Sequence, residues 1–184
     1  MCSTFQLKLS AMNKSKGYTH LYTGNGKGKT TAAMGLALRA VGAGKSVFIG
    51  QFVKGMHYSE LESVKTINNI TIKQYGLDCF IKQNPTQNDI DAALKGFAEI
   101  QAIVNAEKYD IVILDEICIA LYYKLIPISN VLELIRNKPS ETEIVLTGRY
   151  APTELIEIAD LVTEMKEIKH YFNVGIEARK GIEY

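Results

Sequence analysis

Eight residues near the start of the chain, Gly24-Asn-Gly-Lys-Gly-Lys-Thr-Thr31, have the types and spacing needed to hold phosphate. A polyphosphate carries several negative charges that must be desolvated and offset. A glycine-rich turn between a strand and a helix does this with backbone N–H groups that converge on the phosphate oxygens. Glycine is needed where φ is positive and where the backbone must approach closely. Gly24, Asn25, Gly26, Lys27, Gly28, Lys29, Thr30 and Thr31 are therefore the candidate triphosphate contacts. Lys29 adds a point charge, and the Thr30 hydroxyl suits a magnesium ion, with manganese as a substitute. One position departs from the G-x-x-x-x-G-K-[ST] pattern, because Thr23 stands where its first glycine falls. The dinucleotide fingerprint G-x-G-x-x-G fails outright, since its third glycine would be Lys29.

A triphosphate–metal site also wants a carboxylate at the end of a neighbouring buried strand, and Ile111-Val-Ile-Leu-Asp115-Glu116 supplies one. Asp115 and Glu116 join Thr30 as candidate metal ligands. Glu116 has a second reading, the orientation of an attacking water, and with Lys29 it forms the candidate catalytic pair. Arg149 lies just past another buried strand, at the edge where α/β sheets bind ligands; a phosphate contact and a surface salt bridge both fit it. Arg39, in the helix after the loop, reads from its position as a solvated arginine. His20, His57 and His170 lack metal-ligand spacing, and Cys118 reads as packing.

These residues must be positioned by elements that the hydrophobic pattern marks out. Short apolar runs alternate with helical periodicity, which is the signature of an α/β fold with a mostly parallel central sheet and helices on both faces. Strands are expected at Thr19–Thr23, Ser46–Phe52, Ile70–Tyr75, Ile111–Leu114, Ile144–Leu146 and Leu161–Ile168. A helix follows the glycine loop, with Ala33, Leu36, Ala37, Ala40 and Val41 on one face. The span Val53–Asn69 has room for a short helix. Gly76–Thr86 reads as a loop, with Asn88 capping the helix after it; Ser129 caps a helix ended by Pro139, and Thr153 caps another.

The 184 residues fit one domain at 18–184, preceded by a polar leader at 1–17 that is expected to be flexible and in which Met12 is a second candidate start. With 47% hydrophobic and 22% charged residues the composition is globular, and a net charge of +1 gives no field that would gather nucleic acid. Cys2, Cys79 and Cys118 form neither a disulfide framework nor a zinc motif. No apolar run reaches membrane-spanning length and no secretory signal is seen, so the expected location is the cytoplasm, with no membrane partner.

The motifs together narrow the reading. Thr23-Gly-Asn-Gly-Lys-Gly-Lys-Thr-Thr-Ala-Ala33, Gln51-Phe-Val-Lys-Gly55, Val112-Ile-Leu-Asp-Glu116, Thr147-Gly-Arg149, Ala159-Asp-Leu-Val-Thr-Glu164, Lys169-His170 and Gly175-Ile…Gly181-Ile-Glu-Tyr184 occur in one order at one spacing. In this the chain resembles the P-loop corrinoid adenosyltransferases over Gly17–Tyr184, Thr23 in the loop included. The resemblance implies a P-loop NTPase-type fold and a transferase that moves the 5′-deoxyadenosyl group of ATP to the Co(I) centre of a reduced corrinoid, releasing triphosphate. It implies that Arg39 and Arg149 are nucleotide or triphosphate contacts. It also implies a corrinoid-side role for the loop after the third strand, here Leu77 and Phe80. A homodimer and a flavoprotein-type reductase supplying Co(I) are the implied partners. On residues alone, a P-loop ATPase or phosphotransferase and a non-catalytic ATP-sensing module stay open.

Overall fold

The computed structural model describes residues 15–77 and 84–184. Strands β1 (Thr19–Thr23), β2 (Val47–Phe52), β3 (Ile70–Tyr75), β4 (Ile111–Asp115), β5 (Glu143–Thr147) and β6 (Leu161–Glu164) form one sheet in the order β3-β2-β4-β5-β1-β6. Every pairing is parallel. The helices are α1 (Lys29–Gly42), α2 (Ser59–Lys65), α3 (Gln87–Asn105), α4 (Ile117–Tyr122), α5 (Ile128–Asn137) and α6 (Thr153–Ile158), with a 3-10 turn at Tyr171–Val174.

Alternation along the central strands divides the core. Val47, Ile49, Ile111, Ile113 and Val145 meet Ala33, Ala37 and Ala40 of α1 on one face. Phe48, Phe52, Val112, Leu114, Ile144 and Leu146 point the other way, into a larger cluster with α3, α4, α5 and α6. Both faces of the inner strands are thus covered, which is why those strands read as unbroken apolar runs. The small alanines of α1 pack directly on the sheet, and its first residue, Lys29, follows at once on the glycine loop that leaves β1. Among the described residues no helix is long and apolar enough to cross a membrane.

Several local expectations are corrected. The α3 cap is Thr86, not Asn88: Thr86 Oγ1 accepts from Asp89 N at 3.3 Å, and Asp89 Oδ2 accepts from Thr86 N at 2.8 Å. This reciprocal box satisfies two end groups at once, which Asn88, inside the first turn, cannot do. Pro127 and Pro152 take the cap positions before α5 and α6, leaving Ser129 and Thr153 inside the helices. Strand β6 stops at Glu164 because the next carbonyl, Met165 O, accepts from Gly26 N of the glycine loop at 2.6 Å. The six residues of α4, Ile-Cys-Ile-Ala-Leu-Tyr, are too uniformly apolar to show a period. Gly17, the last residue of the expected leader, is buried, and its N–H donates to Ser140 O at 2.8 Å. Residues 1–14 of that leader lie outside the described residues.

Two helix glycines make opposite demands. A Cβ on Gly96 of α3 would lie 2.3 Å from Tyr75 Cγ, at the rigid base of the ring, whereas a Cβ on Gly35 of α1 meets nothing within 4 Å. Gly96→Ala is expected to lose about 1–3 kcal/mol, since overpacking outweighs the gain in helix propensity. Gly35→Ala is expected to gain up to about 1 kcal/mol. Urea unfolding of both variants checks the contrast, and a stabilised Gly96→Ala would contradict the packing described.

Candidate functional site

The loop after β1 has the shape its sequence calls for. Gly24 and Gly28 adopt φ of 96° and 117°, conformations that L side chains resist. Gly28 closes the loop and α1 begins at Lys29. Lys29 Nζ turns back to donate to Gly24 O and Gly26 O, each at 2.8 Å, and so holds the loop in a ring. Burial lowers the Lys29 pKa and the Arg149 charge adds to the effect, while Glu116 and Asp115 pull it back up.

Asp115, 1% exposed, lies at the focus of the site. Its Oδ1 accepts from Thr30 Oγ1 at 2.9 Å and from Thr147 Oγ1 at 2.7 Å. Its Oδ2 accepts from Lys54 Nζ at 2.8 Å and Gln51 Nε2 at 3.2 Å. Sheet order explains the meeting. β2 and β5 flank β4, so Gln51, Lys54 and Thr147 arrive from the C-terminal ends of the two neighbouring strands. Thr30 comes from α1, which bridges over β5 from β1. Burial lowers the Lys54 pKa, but attraction to Asp115, the hydrogen bond between them and the charges of Glu116 and Glu60 together hold it above its ordinary value.

Glu116 follows with φ 59°, and its N–H donates to Thr147 Oγ1 at 2.9 Å. Burial raises its carboxyl pKa and the adjacent Asp115 charge raises it further, against Lys54, Lys29 and Arg149. Cys118 is fully buried, with its thiol pushed up to about 12 by burial and by Glu116. It is inert packing, in keeping with its position in a helix facing the core.

A cavity of about 820 Å³ opens above these groups, lined by residues 26–31 of the loop together with Lys54, Tyr58, Glu116, Arg149 and residues 181–184. That is room for a nucleotide-sized ligand. The C-terminal segment reaches the loop from the far side: Lys27 Nζ donates to Glu183 Oε1 at 2.6 Å, Tyr171 Oη at 2.9 Å and Ile182 O at 3.0 Å. The Glu183 and Tyr171 hydrogen bonds raise the Lys27 pKa.

The structure brings together the loop residues, Asp115, Glu116 and Arg149. Arg39 lies exposed in the last turn of α1, three turns from the loop, and does not line the cavity. Leu77 is exposed just past β3, likewise off the cavity lining, and Phe80 lies outside the described residues. Lys54, Gln51 and Thr147 are site residues that carried no role in the sequence reading. The available signal was position, since each sits at or just past the C-terminal end of a buried strand, as Arg149 does.

Residues 15–184 match the family described as ATP:corrinoid adenosyltransferase BtuR/CobO/CobP. The chain is 37% identical over 180 residues to the corrinoid adenosyltransferase of a Sinorhizobium species, covering 96% of this chain and 84% of that one. It is 32% identical over 179 residues to the corrinoid adenosyltransferase of Pseudomonas aeruginosa, with 96% and 88% covered. Against the corrinoid adenosyltransferase of Escherichia coli K12 the figure is 29% over 177 residues, with 96% and 90% covered.

The raised Glu116 pKa has a consequence for stability. The folded chain binds this proton more readily than the unfolded chain, so its contribution to stability falls as pH rises from the ordinary carboxylate value to the raised one. Glu116→Gln is expected to melt higher than the wild type at neutral pH, and the difference should shrink towards pH about 4. Thermal melts across that range check this; a variant less stable at neutral pH would refute it.

Proposed function

The chain belongs to the ATP:corrinoid adenosyltransferase family, and from that premise we propose how its loop, acid pair and buried cations divide the work. The reaction transfers the 5′-deoxyadenosyl group of ATP to the Co(I) centre of a reduced corrinoid, in the making or salvage of adenosylcobalamin. The electron pair on Co(I) attacks C5′, the cobalt–carbon bond forms, and the C5′–O bond breaks with its pair leaving on triphosphate. No proton is removed from the nucleophile, so the protein's tasks are positioning and stabilisation of the leaving group.

In this reading residues 24–31 cradle the triphosphate, with Lys29 and Arg149 adding charge. Thr30 and Asp115 fit a divalent cation, because both present hard oxygen donors that already converge on one point, 2.9 Å apart. Magnesium is the cation this donor set suits, with manganese as a substitute; when bound it would neutralise charge on the phosphate oxygens. Glu116, one residue on and facing the cavity, completes the acidic side. Arg39, in the last turn of α1, is kept as a nucleotide contact on the family resemblance alone. Leu77 and Phe80 stay as the corrinoid-side pair. A homodimer, a flavoprotein-type reductase as the source of Co(I) and a cytoplasmic location complete the reading.

The observation that carries it is the convergence on buried Asp115, behind Thr30 and Lys54 in the wall of the cavity formed with the glycine loop. The test is an anaerobic assay with Mg-ATP and chemically reduced cobalamin, following the Co(I) spectrum and identifying the phosphate product. Loss of the Co(I) signal with release of triphosphate is expected, and Lys29→Ala should lower the rate at least about 100-fold, as loss of a preorganised charge contact does. ADP and phosphate as the products would instead favour an ATPase.

A further inference from the structure

Lys54 has a position that the phosphate loop does not explain. Its Nζ lies 2.8 Å from Asp115 Oδ2 and 3.5 Å from Thr30 Oγ1, the two side chains read above as the cation-binding pair. A divalent ion sits about 2 Å from its oxygen ligands, so one held by this pair would lie within a few ångströms of the ammonium and be repelled by it. Lys54 on Oδ2 and a cation beside Thr30 on Oδ1 would therefore oppose one another at a single carboxylate.

The backbone around Lys54 is built to aim it there. Val53 adopts φ 56°, a rare conformation for a β-branched residue. A Cβ on Gly76 would lie 2.5 Å from Lys54 N, so the end of β3 presses directly on the Lys54 backbone. The ammonium also lies 5.0 Å from the centroid of the Tyr58 ring. Strained residues held by over-determined surroundings gather at functional sites. Lys54 and Tyr58 line the same cavity as residues 26–31 and Arg149, so an ammonium released from Asp115 stays beside the phosphates.

We propose that Lys54 and the divalent cation compete for Asp115, and that Lys54, once displaced, becomes a further positive contact for the triphosphate. The proposal rests on the reading of Thr30 and Asp115 as the cation pair. Its consequence is coupling. Without a polyphosphate, Lys54 holds Asp115 and the cation binds weakly. With one present, Lys54 has another anionic partner and the cation binds well, so each ligand strengthens the other.

The experiment is titration of the full chain with Mn²⁺, followed by electron paramagnetic resonance, with and without inorganic triphosphate. In Lys54→Met, Mn²⁺ alone should bind about tenfold more tightly than in the wild type, triphosphate alone about tenfold more weakly, and the coupling between them should fall. Lys54→Gln keeps an N–H for Asp115 without the charge and should behave the same way; it decides the matter if Lys54→Met fails to fold by circular dichroism. Mn²⁺ affinity that is unchanged or weaker in the folded variants would overturn the proposal and leave Lys54 a strut. The underlying reading is checked separately, because Thr30→Val should abolish Mn²⁺ binding in the presence of ATP whatever Lys54 does. Retained binding there would sink the cation pair itself.

Discussion

One buried carboxylate organises this molecule. Asp115 accepts from two hydroxyls, an amide and an ammonium, and these four donors come from α1, β5, β2 and the turn after β2. A lone carboxylate at 1% exposure would cost several kcal/mol in lost hydration, and only partners in good geometry recover that. The partners reach it because β4 sits between β2 and β5 and all strands run parallel, so their C-terminal ends share one edge. The hydrophobic layers above and below the sheet set that register. The site is therefore assembled by packing far from it, and a shift of one residue in β4 would turn Asp115 to the other face.

Strain collects at the same edge. Of the non-glycine residues described with positive φ, Val53, Glu116 and Tyr150 follow the ends of β2, β4 and β5, while Asn69, Glu107 and Lys124 sit in ordinary turns. Each such conformation costs on the order of 1–3 kcal/mol and persists because its surroundings fix it. The turns at Val53 and Glu116, with Gly148 at φ 139° before Arg149, leave Lys54, Glu116 and Arg149 lining one cavity. Charge is distributed to match: Lys29, Lys54 and Arg149 surround Asp115 and Glu116, and Lys27 is held by Glu183 from the C-terminal segment.

Much of this was legible in the sequence, for reasons that also mark where it stops. Buried parallel strands read as apolar runs, so β4 and β5 stood out, and the glycine loop showed itself because phosphate binding demands unusual residues at fixed spacing. The cap of α3 was misplaced because Thr86 and Asn88 are both good acceptors, and only the reciprocal bond with Asp89 separates them. Strand β6 was drawn too long because Met165 reads as strand while its carbonyl is claimed by Gly26, a long-range contact. The role of Lys54 was hidden for a similar reason. A lysine after a strand is ordinary until the strand order places β2 beside β4 and turns its ammonium onto Asp115.

The arrangement of charge also bears on why such a site suits alkyl transfer. In the proposed reading the amides of the loop, buried Lys29, half-buried Lys54, Arg149 and the acidic pair all serve the polyphosphate end of the nucleotide. A hydrolase needs, besides these, a group to orient and deprotonate water. Glu116 lines the cavity with its pKa raised by burial and by Asp115, the direction that suits a general base. Attack by a metal centre that carries its own electron pair needs no such base. In that reaction a highly charged group departs from carbon, and preorganised positive charge at the leaving group lowers the barrier to its departure.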